Sequence, residues 1–213
     1  LAWMRRRLEV MVAYIGAVTG ALPDEKLSSK KKVLLATIAQ EFSLREAGEV
    51  KRLEATVNHD LKALELFLTL KLKKLKLSSL LGFVNLGIGS EDINNIAFAR
   101  TLVEMQKNVL KQIFASIAAE FSSMAVEEKS TWMVARTHAQ PANVTTFGKE
   151  IANYLDRLGS AYEAFSGVAL QAKCSGEVGS FQAQYASNTR VDWLKITDRF
   201  ISSFGLVPTH AAT

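Results

Sequence analysis

Two runs of apolar residues at heptad spacing constrain this chain more than any other feature. Ile96, Val103, Leu110 and Ile117 recur every seven residues, while Phe147, Ile151, Tyr154, Leu158, Ala161, Phe165, Val168 and Ala172 alternate gaps of four and three. That period places each set on one narrow stripe of a long helix, a stripe that has to be buried against other helices. The spacing predicts helices over about residues 90–125 and 142–173, the second a rod approaching roughly 50 Å. Between them stands Ala135–Ala142, A-R-T-H-A-Q-P-A. Pro141 suits a first helical position, where a missing N–H costs nothing, so the octapeptide reads as a turn at one end of a bundle. A histidine and a threonine in such a turn can face a cleft. They can also be solvated or tied to the backbone, and periodicity does not choose between these.

Composition agrees with a helical globule. The chain has 213 residues, 48% of them hydrophobic and 22% charged, which places it among globular rather than disordered sequences. Only three prolines and few β-branched clusters favour an all-α fold. The single Cys174 excludes an internal disulfide framework and fits a reducing compartment. No apolar run approaches the roughly 20 residues of a membrane span, so a soluble protein of the cytoplasm, or of an organelle, is expected. A net charge of +5 is mild. It suits an anionic small molecule and, without clustering, is no nucleic-acid footprint.

In chain order, Leu8, Met11, Val12, Ile15 and Val18 make one face of a first helix, with Arg5 to Arg7 read as a solvated face near its start. Gly20 and Pro23 close it, and a second helix covers roughly residues 25–40. Ser43 and Glu46 have capping-box spacing ahead of a third helix over about 44–56. V-N-H-D follows at Val57–Asp60, and a fourth pattern runs through Leu64, Phe67 and Leu68. Leu70–Leu77, L-K-L-K-K-L-K-L, lacks the interleaved aromatics that would stack bases and reads as a solvated connector. The domain boundary is placed there, giving units over 1–78 and 79–213. Beyond it, Gly87 and Gly89 interrupt the helical pattern, and Ser90, Glu91 and Asp92 open the next helix. A helix start favours a carboxylate or phosphate; the same three residues also serve simply as its cap.

Three polar clusters, V-N-H-D, G-S-E-D-I-N-N and A-R-T-H-A-Q-P-A, followed by F-G-K-E-I-A-N and V-D-W, carry a resemblance over nearly the whole chain. In that order they resemble the bacterial-type branch of the adenylosuccinate lyase family, within the aspartase and fumarase superfamily. The resemblance implies an all-α fold with a small N-terminal helical domain and the first part of a long-helix bundle. It also implies elimination across a C–N bond, releasing fumarate and AMP in purine nucleotide biosynthesis, and the equivalent step on the succinyl carboxamide intermediate. Such a reaction needs a base for the Cβ proton and an acid for the leaving nitrogen. His138 matches the family's proton donor. Asn58, His59 and Asp60 match a substrate-contacting segment, and Gly89 and Ser90 match two adjacent substrate-binding positions. Thr137 and Gln140 flank His138 and shape the turn or touch substrate. Lys149 and Asn153 are family-typical residues without an assigned role. No metal and no cofactor is expected.

Departures accompany the matches. Gly89 stands where the family has a threonine, and Ala135 and Ala139 replace a usual serine and glycine. Near the end, P-T-H-A-A-T replaces a segment that leads to a substrate-binding glutamine. The resemblance puts an Arg-Tyr substrate pair before Leu1 and the base-bearing loop, S-S-x-M-P-x-K-x-N, after Thr213. The 213-residue chain alone is therefore expected to be inactive. Adenylosuccinate is the implied substrate and a homotetramer the implied assembly, each active site drawing its clusters from different subunits. The alternative is a shortened, non-catalytic paralogue acting as a structural subunit of a larger assembly. Neither reading needs nucleic acid or a membrane span.

Overall fold

The structure is a computed structural model and describes residues 1–211; the Ala212–Thr213 end of the P-T-H-A-A-T segment lies outside the described residues. The chain divides into two compact units, Leu1–Thr101 with the residues from Leu170 onward, and Leu102–Ala169. Residue 78, where the sequence suggested a boundary, falls inside the first unit.

The first unit is built on α1 (Ala2–Ala21), whose Leu8, Met11, Tyr14, Ile15 and Val18 are buried. Removing each such aliphatic side chain from water contributes about 1.5–3 kcal/mol. Around α1 pack α2 (Ser29–Gln40), α4 (Asp60–Lys74) and α9 (Trp193–Ser202). The Tyr14 ring meets Phe200 edge-on at 5.4 Å, and its hydroxyl donates to the Leu86 carbonyl at 2.7 Å. Burial of that phenol raises its pKa far above the ordinary tyrosine range, so it stays a neutral donor. Helix α3 (Leu44–Val57) opens with the expected capping box: Ser43 accepts from the Glu46 N–H and Glu46 accepts from the Ser43 N–H.

Two sequence readings change here. Leu70–Lys74 is the last turn and a half of α4, not a connector. Leu72 is fully buried and Leu77 nearly so, while Lys71, Lys73 and Lys74 lie near the helix C-terminus, where cations are favoured. The lysines are interleaved with core leucines, which hides the 3.6-residue period. Nor is Arg5–Arg7 simply a solvated face. Arg5 Nη2 donates to the Phe42 carbonyl at 2.7 Å, and Arg7 is buried, stacked 4.7 Å from the Trp3 ring centre and paired with Asp60.

Helix α5 (Ser90–Met105) passes through a π-turn at Gln106–Leu110 into α6 (Lys111–Glu127), making 38 helical residues from Ser90 to Glu127. By length and composition alone this helix would also pass for a membrane span. In the second unit α6 pairs with α7 (Phe147–Ser166), where Phe114 and Tyr162 stack at 4.1 Å with planes 5° apart. Gln106 Nε2 donates to the Phe165 carbonyl at 2.9 Å. Between the helices runs an antiparallel hairpin, β1 (Trp132–Thr137) and β2 (Gln140–Thr146). Pro141 therefore lies in a strand rather than opening a helix, and α7 starts six residues later, at Phe147. Thr146 caps α7 by accepting from the Lys149 N–H. Gly148 permits this close return: a Cβ there would stand 2.6 Å from the Lys129 amide nitrogen.

The remaining pieces complete the first unit. β3 (Gln171–Ala172) pairs in parallel with β4 (Val207–Pro208), and α8 (Gln182–Ser187) lies between β3 and α9 in sequence. The strands are short, and the class is all-α.

Candidate functional site

The first cluster forms the junction of α3 and α4. Asn58 takes a left-handed conformation, φ 51° and ψ 35°, and ends α3 with its N–H bonded to the Glu54 carbonyl at 2.8 Å. Asparagine is among the few residues that tolerate this region. His59 is the N-cap of α4: its Nδ1 accepts from the Lys62 N–H at 3.2 Å. That bond uses Nδ1 as the acceptor and leaves Nε2 as the ring's other nitrogen. Asp60 accepts from Arg7 Nη1 at 2.6 Å and from the Leu61 N–H at 2.8 Å. Partial burial opposes ionisation of Asp60, but the Arg7 hydrogen bond and charge outweigh it and hold the carboxyl below its ordinary pKa.

Gly89 and Ser90 form the start of α5, which is organised by Asp92. The Asp92 carboxylate is 1% exposed and accepts from the N–H groups of Gly89 at 2.8 Å, Ser175 at 3.0 Å and Gly176 at 3.0 Å. Lys173 Nζ lies 3.2 Å from it and also donates to the Gly176 carbonyl at 2.9 Å. Asn95, one helical turn on, accepts from the Lys173 N–H at 2.8 Å and donates to its carbonyl at 3.1 Å. Asp92 and Asn95 of the S-E-D-I-N-N motif thus pin residues 173–176 against α5. Ser90, half-buried, is the first residue of α5.

The third cluster is the hairpin tip in the second unit. Thr137 faces Gln140 across the ladder, and His138 and Ala139 are the two loop residues, with φ of 50° and 61°. Two consecutive positive φ values are the signature of the primed two-residue turns that match strand twist. Thr137, His138 and Gln140 are all exposed. At the base of the hairpin, Glu150 gathers Thr145 at 3.0 Å, Lys149 at 3.1 Å and Asn153 at 3.5 Å. The Lys149 hydrogen bond, with that of Thr145, keeps the Glu150 carboxyl below its ordinary pKa.

Asn58, His59 and Asp60 are thus brought together at one helix junction and Gly89 and Ser90 at another, while Thr137, His138 and Gln140 sit on the second unit's hairpin. Cavities in the first unit are lined by other residues: one of 640 Å³ by α3 and α4 side chains such as Arg52, Phe67 and Lys74, and one of 370 Å³ by Gly87, Ser175, Glu177 and Gln184. Among the described residues no group of three His, Cys, Asp or Glu is placed to hold a metal ion. Sequence reasoning missed Glu177, whose link to Gly89 spans 88 positions and leaves no local pattern.

Residues 2–209 match the profile of a lyase family. Adenylosuccinate lyase of Buchnera aphidicola subsp. Baizongia pistaciae is 34% identical over 208 residues, covering 96% of this chain and 45% of the relative. Adenylosuccinate lyase of Legionella pneumophila strain Corby is 32% identical, covering 97% and 46%. The chain thus spans a little under half the length of these relatives. Among solved structures, a fumarate lyase from Mesorhizobium sp. BNC1 superposes with a TM-score of 0.76 at 19% identity, over 97% of this chain and 46% of that one. The 3-carboxy-cis,cis-muconate lactonizing enzyme of Pseudomonas putida gives 0.72 at 17% identity, over 98% and 45%. Those two likenesses concern the fold. The chain belongs to the lyase family and resembles its adenylosuccinate lyases.

Proposed function

We propose that this lyase-family chain supplies the proton donor and part of the substrate pocket of an adenylosuccinate lyase, which splits a C–N bond to release fumarate and AMP. The same site would act on the succinyl carboxamide intermediate of purine synthesis. The observation that carries this reading is His138 at the hairpin tip. Its imidazole is exposed, and among the described residues no hydrogen bond ties it to the fold. A side chain held by backbone geometry alone and open to solvent is poor structural material, but it is well placed to meet a substrate. Imidazole is also the side chain best suited to give up a proton near neutral pH.

In the reaction a base removes the Cβ proton, its electron pair forms the C=C bond of fumarate, and the C–N bond breaks. His138 protonates the departing nitrogen. Thr137 and Gln140, paired across the ladder, position the imidazole. His59 offers its Nε2–H as a donor while Nδ1 remains the helix cap, and Ser90 offers a hydroxyl beside the start of α5. The chain spans under half the length of its relatives, and none of the residues named here is assigned as the base.

The assembly follows from unpartnered apolar surface. Val109, Ile113 and Ile117 along the long helix and Tyr154 and Phe165 on α7 are each at least 41% exposed. Cover by other helices, in a homotetramer of the cytoplasmic enzyme, accounts for that stripe better than a membrane does, because Glu104, Lys107, Lys111 and Glu120 interrupt it. A non-catalytic subunit would bury the same stripe, so turnover separates the two readings. The test is fumarate release from adenylosuccinate by the complete protein. Release that depends on His138 supports the proposal, and assembly without release supports the alternative.

A further inference from the structure

The start of α5 carries an arrangement that bears on what the site accepts. Gly89 has no side chain, and the space over its Cα is taken by Glu177: an ideal Cβ on Gly89 would lie 2.6 Å from Glu177 Cδ and 3.1 Å from Oε2. The threonine that the resemblance leads one to expect at this position would collide with that carboxylate unless Glu177 swung away. The Glu177 carboxylate is therefore seated at the amino end of α5, one residue from Ser90. That end of a helix is where a substrate carboxylate would be drawn by free N–H groups and the helix dipole.

The surrounding charges strengthen the effect. The buried cation beside the α5 start, Lys173, is committed to Asp92 and to the Gly176 carbonyl. Asp92 has already taken the Gly89 N–H. Glu91 follows Ser90 and is exposed. The start of α5 thus carries Glu91 and Asp92 in its first turn and the Glu177 carboxylate against Gly89, while the Lys173 ammonium is paired with Asp92.

We infer that Glu177 is a specificity-determining residue of the proposed site, an internal carboxylate that competes with the substrate's carboxylate for the start of α5 beside Ser90. The inference rests on the lyase reading, which is what places substrate at Ser90. Glycine at position 89 and glutamate at position 177 act as a pair, the first vacating the room that the second fills. The consequence is weaker binding of dicarboxylates than a neutral side chain at position 177 would allow. An uncharged ligand of the same shape is indifferent to the exchange.

The test uses fumarate as probe and fumaramide as its neutral counterpart, titrated into the complete, isotopically labelled protein while the Ser90 backbone N–H signal is followed. In Glu177→Gln, fumarate should bind about three- to tenfold more tightly than in the native chain, the scale of removing one partly screened like charge. Fumaramide affinity should be the same in both. Glu177→Ala, which removes bulk as well as charge, should reproduce the gain. Because Glu177 is exposed, neither variant disturbs the core. Equal fumarate affinity in the native chain and both variants, with the Ser90 signal responding, would overturn the inference and leave the lyase reading standing. No response at Ser90 in any of the three would overturn both.

Discussion

Arg7 Nη1 donates to Asp60 Oδ2 across 2.6 Å, tying the first helix to the junction that holds His59. The arginine is buried against Trp3 and the carboxylate is half exposed, so the pair fixes the start of α4 to α1. Asp60 thus has a structural partner whatever it does for substrate.

This pair sets a pH dependence. The folded-state pKa of Asp60 is lowered, so its contribution is fully present above the unfolded aspartate value of about 4 and is lost as pH falls through the folded value. Asp60→Asn should cost about 1 kcal/mol at neutral pH, discounted for the exposure of the carboxylate. It should also flatten the acid side of the stability curve. Urea titrations of both proteins from neutral to acidic pH measure this.

Asp92 should prove the most damaging polar position to truncate. Asp92→Ala leaves Lys173 buried without its carboxylate and frees three backbone N–H groups, at a cost of about 3–5 kcal/mol. Hydrogen exchange should accelerate first at Ser175 and Gly176, whose amides Asp92 holds.

His59 caps α4 and, in the proposed function, also contacts substrate; different substitutions separate the two. His59→Ala removes the α4 cap and should lower stability by about 1 kcal/mol as well as weakening substrate binding and turnover. His59→Asn should restore the cap, and with it the stability, but not the catalytic loss. Thermal unfolding alongside steady-state kinetics makes the comparison.

The apolar stripe predicts self-association. Ile113 and Ile117 are 51% and 41% exposed. Light scattering should find the native chain larger than a monomer, and Ile113→Glu with Ile117→Glu should shift it toward monomer. A monodisperse native monomer that binds no apolar-surface dye would count against the assembly.

The long helices were legible because their information is local and periodic: the heptad from Ile96 to Ile117 marks α5 and α6, and Ser43 with Glu46 marks the start of α3. The hairpin was not. Its tip is His-Ala rather than the Asn-Gly that usually announces a primed turn. Pro141, read as a first helical position, also drew the helix boundary back from Phe147. Leu70–Lys74 was obscured because lysines flank its one core leucine, Leu72. The polar clusters were visible as motifs, but their structural duties were not, since Asp92 meets its partners 83 and 84 positions away. The pairing of Gly89 with Glu177 was invisible for the same reason.

The account turns on His138, and one comparison tests it most directly: adenylosuccinate cleavage by the complete protein and by its His138→Ala variant, with thermal unfolding of each. The hairpin tip carries no core packing, so the unfolding temperatures should agree closely. Turnover should fall by about two or more orders of magnitude, the scale for losing a positioned acid. Wild-type turnover in a folded His138→Ala protein would contradict the assignment and leave His138 as a solvated turn residue.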